Sequence, residues 1–176
     1  MRKVAVFGNA GGGKSTLARR LADVTGLPLY PLDMIQFKPG GGEVSHDEYL
    51  KAHQELLIRD AWIIDGFGSV ASAWERFSVA DTLIYVDLPL FTHYWWVTKR
   101  LFMGLFVKLP EGWPEKSPMW SSTTDSYRVV WRCHRRLTPR YRQLVADAAA
   151  SKRVHHLMSP AGMRAFLEAV KQERPV

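Results

Sequence analysis

A glycine-rich segment near the start of the chain places the strongest constraint on its fold. Residues 8–15 read Gly-Asn-Ala-Gly-Gly-Gly-Lys-Ser, which fits the pattern G-x-x-x-x-G-K-[ST]. The apolar run at residues 4–7 precedes it and predicts a buried strand, while residues 16–21 follow with a helical pattern. A glycine-rich turn between a strand and a helix N-terminus predicts binding of the polyphosphate of a nucleoside triphosphate.

Each residue type in this loop has an expected role. The glycines let backbone N–H groups turn inward around a phosphate, Lys14 reaches the β- and γ-phosphates as part of the catalytic machinery, and Ser15 ligates Mg²⁺. ATP with Mg²⁺ is therefore the expected cofactor. The residues expected to bind the nucleotide here are Gly8, Gly11, Gly12, Gly13, Lys14, Ser15 and Thr16.

Short apolar runs of strand length alternate with helical patterns along the chain. The runs lie at residues 4–7, 27–32, 62–64, 83–86 and 153–157. This alternation predicts an α/β protein with the three-layer P-loop NTPase fold and a five-stranded parallel sheet. The length suits one domain, residues 1–176. Residues 109–125 hold three of the ten prolines, which predicts a long loop or small lid at about residues 108–126.

Charge and cysteine content limit which cellular compartment and which binding partners we expect. The single cysteine, Cys133, cannot form an internal disulfide, and no uncharged apolar run approaches the roughly 20 residues of a membrane span. A cytoplasmic protein without membrane association is expected. Residues 99–142 carry ten Lys/Arg against three Asp/Glu, so they account for the whole net charge of +7. Such a segment suits phosphates of nucleotides or of nucleic acid, although a solvated helix face has the same pattern.

Two absences from the sequence narrow the class of P-loop protein. Asn9 is the only asparagine, so the N-K-x-D motif by which GTPases read guanine is excluded. Asp65 and Asp87 end apolar runs, and neither is followed by the glutamate with which hydrolytic ATPases activate water. A closed site without that glutamate suits transfer to another acceptor. The sequence therefore predicts a small kinase.

Four further motifs accompany the loop, at residues 32–33 (Leu-Asp), 65–67 (Asp-Gly-Phe), 80–89 and 159–160 (Ser-Pro). Together they resemble adenylate kinase and related nucleoside-monophosphate-type kinases, most closely the bacterial group labelled DNA topology modulation protein (FlaR-like). The resemblance covers nearly the whole chain. It implies a sheet of the nucleotide-kinase type, an acceptor segment after the second strand, an arginine-bearing lid, and a loop near Ser159 against the adenine. Adenylate kinases follow Asp-Gly-Phe with proline and an acceptor-binding arginine, whereas Gly68 and Ser69 stand here.

Two aspartates at the ends of predicted strands are candidate site residues. Asp65 ends the third strand, and ligands of parallel sheets bind at such carboxyl ends, so we expect it to hold a Mg²⁺-bound water. The alternative is a carboxylate that caps the next segment. Asp33 follows the second strand, where related kinases orient the acceptor or assist its hydroxyl, and it is a candidate catalytic residue. A turn-forming aspartate fits Asp33 equally well.

Arginines beyond the predicted lid form a candidate phosphate-binding stripe. Arg128, Arg132 and Arg135 fall at i, i+4 and i+7, so they share one helical face. Like charges so spaced repel unless a phosphoryl group supplies the counter-charge; a solvent face is the alternative. Arg100 matches the lid-base arginine of the adenylate kinase pattern by its distance from Pro89. We expect Arg100 and Arg132 to act in catalysis. Arg128 and Arg135 are expected to bind the nucleotide.

These observations predict an ATP-dependent phosphotransferase. It would move the γ-phosphate of Mg·ATP to a small-molecule acceptor, a nucleotide or nucleoside by the resemblance. The alternative is an ATP-binding protein that acts on nucleic acid, suggested by the basic segment and by the aromatic residues within 89–107 beside it. No recognised DNA-binding motif supports that alternative. Exposed aromatic side chains would also suit a dimer surface, so a monomer and a homodimer both stay open.

Overall fold

The structure is a computed structural model that describes residues 1–38, 42–104 and 119–173, without the side chains of 100–104 and 119–125. The strands are β1 (Lys3–Gly8), β2 (Leu29–Pro31), β3 (Trp62–Asp65), β4 (Thr82–Val86) and β5 (Arg153–Leu157). The helices are α1 (Lys14–Thr25), α2 (Asp33–Gln36), α3 (His46–Leu57), α4 (Val70–Val79), α5 (Leu90–Gly104), α6 (Met119–Arg136), α7 (Thr138–Ala148) and α8 (Pro160–Gln172).

The strands form one all-parallel sheet in the order β2-β3-β1-β4-β5, which confirms the predicted fold class. β1 lies at the centre, between β3 and β4. Val6 of β1 lies opposite Asp65 of β3, and Gly8 lies opposite Val86 of β4. The carboxyl ends of these three strands therefore meet at one edge of the sheet, where the glycine-rich loop begins.

Helices cover both faces of the sheet and make three layers. Along β1, Ala5 and Phe7 belong to one buried cluster while Val4 and Val6 belong to the other, as the two-residue period of a strand requires. The first cluster takes its remaining side chains largely from α3, α4 and α7, and the second from α1 and α8. Among the helices of the described ranges, none is both long enough and apolar enough to cross a membrane.

Capping signals in the sequence set the start of two helices. The Ser45 hydroxyl accepts from the Glu48 N–H, and the Glu48 carboxylate accepts from the Ser45 N–H, so the predicted capping box begins α3. The Ser159 hydroxyl accepts from the Gly162 N–H at 3.0 Å, and Pro160 opens α8. Both predicted helix starts are confirmed.

The segment predicted as a loop or lid is helical in its last part. α6 begins at Met119, so residues 119–125 lie in a helix and the loop prediction is wrong for them. The physical reason is composition, because residues 119–136 contain neither proline nor glycine, the two strongest helix breakers. The part of the predicted lid at residues 108–118 lies outside the described residues.

Candidate active site

The glycine-rich loop connects the central strand to a buried helix. β1 ends at Gly8 and α1 begins at Lys14, so residues 9–13 make the turn between them. Gly13 is the N-cap of α1 and has a φ of 71°, a left-handed conformation that suits glycine. A Cβ at this position would also come within 2.7 Å of the Trp96 ring. The start of α1 therefore tolerates only glycine at the position before the lysine.

Lys14 lies folded back onto the loop. Its Nζ donates to the backbone oxygen of Asn9 at 2.8 Å. An ammonium group has three N–H donors, so this bond leaves capacity for a phosphate. Ser15 and Thr16 are exposed in the first turn of α1, at the positive end of the helix dipole. The side chains expected to bind phosphate and metal thus follow one another at an accessible helix N-terminus.

Asp65 brings a carboxylate to the same edge of the sheet. It ends β3 and lies opposite Val6, two residues before the last residue of β1. Asp65 is only 4% exposed, and its Oδ1 is buried without a hydrogen-bond partner among the described residues. A buried polar atom of this kind costs free energy unless a ligand or an ordered water satisfies it. Oδ1 of Asp65 is therefore a candidate contact for a ligand or an ordered water.

The oxygen atoms at this edge suit Mg²⁺. This ion prefers hard oxygen ligands and is held in proteins by one or two carboxylates, substrate phosphates and water. Asp65 offers a carboxylate oxygen and Ser15 an exposed hydroxyl. Within the described ranges, no group of three or more His, Cys, Asp or Glu could hold a metal ion by itself. Ser15 as a direct ligand and Asp65 through a metal-bound water suit an ion whose other ligands are nucleotide phosphates.

Asp33 begins the short helix α2, where the sequence also allowed a simple turn. Its backbone oxygen accepts from the Phe37 N–H at 3.1 Å, and its side chain is exposed. The Leu32 N–H donates to the backbone oxygen of Asp65 at 2.8 Å, which fixes the start of α2 beside the end of β3. The backbone thus brings the exposed Asp33 close to the strand that carries Asp65.

A buried arginine holds the loop that follows Asp65. Arg76 of α4 is 0% exposed, and one of its terminal nitrogens donates to the backbone oxygens of Gly66 at 2.9 Å and Phe67 at 3.4 Å. The other terminal nitrogen lies 3.4 Å from Nε2 of His53. Burial lowers the pKa of Arg76 to about 10, so the guanidinium remains charged near pH 7. Arg76 therefore braces residues 66–67 through charge-assisted hydrogen bonds.

Sequence reasoning assigned no role to Arg76. A signal was present, because Arg76 lies three residues after Ala73 and next to Phe77, on the buried face of α4. An arginine within an apolar helix face predicts a buried polar partner. Since its side chain is fully enclosed, Arg76 does not take the place of the acceptor-binding arginine of the adenylate kinase pattern.

His53, which lies beside Arg76, makes the stability of the protein depend on pH. Burial lowers the pKa of His53 from 6.5 to about 4, and the positive charge of Arg76 adds to the shift. Between these values the unfolded chain binds a proton that the folded protein does not, so His53 contributes stability above pH 6.5 that is lost as the pH falls toward 4. The loss amounts to at most about 3 kcal/mol.

Urea unfolding at pH 7 and pH 5 should therefore show a smaller pH dependence for His53→Gln than for the unchanged protein. His46, exposed at the start of the same helix, supplies the control: His46→Gln should keep the full pH dependence. If the free energy of unfolding changes equally between pH 7 and pH 5 in all three proteins, His53 is not the cause of the pH dependence.

The arginine stripe lies on the exposed side of α6. Arg128, Arg132 and Arg135 are all exposed, in agreement with their helical spacing. The helix itself docks on the glycine-rich loop, because the Asn9 side-chain amide donates to the backbone oxygen of Val130 at 3.0 Å. A stretch of α6 that carries arginines on both sides of Val130 is thus fixed to the loop.

Asp87 and Arg100 are the remaining charged residues singled out from the sequence. Asp87 follows β4 directly and precedes α5, which begins only at Leu90. Its carboxylate accepts from Nε of Arg142 at 2.7 Å and from Nε2 of His156 at 2.9 Å. Burial opposes ionisation of Asp87, yet these hydrogen bonds bring its pKa below the usual value. Arg100 lies on α5, and its side chain falls outside the described residues.

Comparison with known proteins finds similarity of the three-dimensional structure. Neither family models nor curated protein sequences give a match. Shikimate kinase from Acinetobacter baumannii, solved in complex with shikimate, has a TM-score of 0.61 and 14% identity, over 98% of this chain and 92% of that one. This likeness shows that the chain shares the fold of that protein. An unliganded sugar kinase from a Janibacter species gives a TM-score of 0.49 and 15% identity, over 98% of this chain and 91% of that one.

Proposed function

We propose that the protein is a kinase that transfers the γ-phosphoryl group of Mg·ATP to a small acceptor, which we take to be a nucleotide or a nucleoside. One observation carries the proposal: the orphaned, buried Oδ1 of Asp65 lies at the sheet edge from which the loop of Lys14 and Ser15 emerges. No glutamate follows Asp65 to activate water. The finer likeness to adenylate kinases and to the DNA topology modulation group rests on sequence motifs alone.

Each proposed role follows from the chemistry of one side chain. Lys14 would exchange its bond to the Asn9 carbonyl for the β- and γ-phosphate oxygens, and Ser15 and Asp65 would hold the metal. When bound, Mg²⁺ neutralises the charge that develops on the phosphates. The γ-phosphorus gains a bond to an acceptor oxygen and loses its bond to the β–γ bridging oxygen, so ADP leaves. Where the acceptor oxygen belongs to a hydroxyl group, the Asp33 carboxylate receives its proton.

The acceptor is expected between α2 and the loop after β3. Asp33 is exposed there, and Arg76 fixes the backbone of residues 66–67 on the other side. A braced site binds with less loss of conformational entropy. The shikimate kinase of the same fold was solved with shikimate, so small acceptors other than nucleotides belong in any screen.

ADP release measured with and without a panel of candidate acceptors tests the proposal. Release should be slow with ATP alone and should accelerate when the right nucleoside, monophosphate or small alcohol is present. The physical reason is the missing water-activating glutamate after Asp65 and Asp87. Fast release that no acceptor changes would indicate an ATPase instead.

The exposed side of α6 favours a second candidate, an ATP-binding protein that acts on nucleic acid. Trp131 is 48% exposed, and the Arg135 guanidinium lies 5.8 Å from the centroid of its ring. Arg128 and Arg132 are exposed on the same helix. Aromatic rings among arginines suit stacked bases and a phosphate backbone as well as a nucleotide.

Arginine substitutions separate the two candidates. If Arg132 meets the phosphoryl group mainly in the transition state, Arg132→Ala should lower kcat by on the order of a hundredfold and change Mg·ATP affinity much less. Arg140 is exposed on α7, and Arg140→Ala should leave both quantities unchanged. The same measurements apply to alanine variants at 100, 128 and 135. Normal turnover in all four variants, with loss of DNA retention in low salt, would favour the second candidate and contradict the kinase mechanism.

A further inference from the structure

Helix α5 packs directly against the glycine-rich loop. A Cβ on Gly11 would come within 2.6 Å of the Val97 side chain, and one on Gly12 would come within 2.9 Å of the His93 ring. His93 is 1% exposed, and its Nδ1 lies 2.8 Å from the backbone oxygen of Ala10. Because a carbonyl oxygen only accepts, Nδ1 carries the proton and donates it.

Helix α6 holds the neighbouring peptide of the same loop. Asn9 is 5% exposed, and its amide nitrogen donates to the backbone oxygen of Val130 at 3.0 Å. Its side-chain oxygen accepts from the Ala10 N–H at 2.8 Å, so the amide is used at both ends. Asn9 therefore ties the loop to α6 as His93 ties it to α5. These two helices are the ones that flank residues 105–118 in the chain.

The bond from His93 sets the direction of a peptide group. In a trans peptide the C=O and the following N–H point in opposite directions, and the described residues contain no cis peptide. The Ala10 carbonyl points toward the His93 ring, so the Gly11 N–H of the same peptide points away from that ring. Without the bond this peptide could rotate, and fixing it again on binding would cost free energy.

We propose that His93 and Asn9 are positioning residues that hold the phosphate-binding loop in its binding conformation against α5 and α6. The inference rests on the proposed function, because it names what keeps the ATP-binding loop in shape. The pattern G-x-x-x-x-G-K-[ST] specifies neither residue. Both act through the backbone of the loop and need no contact with the nucleotide.

Asparagine and leucine at position 93 make a matched pair. Their side chains have nearly the same branched shape, but only asparagine carries an N–H donor at the place of Nδ1. Calorimetric titration with Mg·ATP should show affinity weaker by on the order of tenfold for His93→Leu, because the Ala10 carbonyl loses a buried donor. His93→Asn should stay within about threefold of the unchanged protein. Thermal melting of each variant checks that it is folded.

Asn9→Ala tests the second bond without altering α5, and it should weaken Mg·ATP binding about as much as His93→Leu. Equal affinities for His93→Leu and His93→Asn would overturn the inference, whether both are normal or both weak, because the donor would then be irrelevant. If His93→Leu does not fold, Asn9→Ala decides, and unchanged affinity overturns the inference. Failure of the unchanged protein to bind Mg·ATP would instead refute the proposed function and the inference together.

Discussion

Lys14→Ala should abolish most of the rise in melting temperature that Mg·ATP gives the unchanged protein. A ligand that binds only the folded state stabilises it by mass action, by about 2.7 kcal/mol at a hundred times its Kd. The Lys14 ammonium rests on the neutral Asn9 carbonyl at 2.8 Å, a partner that charged phosphate oxygens outcompete. Melting curves with and without Mg·ATP measure the effect.

Lys171, exposed on α8, provides the matched control for this experiment. Lys171→Ala should keep the full rise, which separates the local role of Lys14 from the loss of one positive charge. The melting temperature of Lys14→Ala without ligand should stay close to that of the unchanged protein, since a half-exposed lysine is replaced by a good helix former. An undiminished rise in Lys14→Ala would refute the assignment of the loop.

Asp65→Asn should lower Mg²⁺-dependent turnover by on the order of a hundredfold or more. The substitution keeps the size and the side-chain carbonyl oxygen but removes the negative charge expected to hold the metal. Since Oδ1 of Asp65 has no partner among the described residues, that oxygen is free to serve a ligand. Turnover measured against Mg²⁺ concentration, with the acceptor that the screen identifies, should show a lower maximum and a higher Mg²⁺ requirement.

The control for Asp65 is another aspartate. Asp23 is exposed on α1, and Asp23→Asn should leave the Mg²⁺ dependence unchanged. Melting temperatures of both variants exclude a loss of folded protein as the cause. Full turnover of Asp65→Asn at low Mg²⁺ would show that the Asp65 carboxylate does not hold the metal.

The strands and the helix starts could be predicted from local sequence patterns. The apolar runs and the capping residues Ser45 and Ser159 act within a few positions of the chain, and all of them are where the sequence predicted. The glycine-rich loop likewise depends on neighbours in sequence. The start of α6 was misread because the loop prediction ran past its last proline, Pro118, into residues 119–125, which have no helix breaker of their own.

The contacts that support the site could not be predicted from local sequence patterns. His93 and Ala10 lie 83 residues apart, and Asp87 and His156 lie 69 apart. Such bonds depend on strand order and helix packing, which a single sequence does not specify. The apolar run that ends at Asp87 is a local pattern, but only the parallel register of β4 and β5 brings His156 to the Asp87 carboxylate.

The proposed kinase activity requires that the γ-phosphoryl group of ATP goes to a small acceptor and not to water. Phosphorus-31 NMR of the protein with Mg·ATP and the acceptor that accelerates ADP release follows that group directly. A new resonance from the phosphorylated acceptor should grow in step with ADP, with little inorganic phosphate. Growth of inorganic phosphate in step with ADP, without any new phosphorylated species, would contradict it.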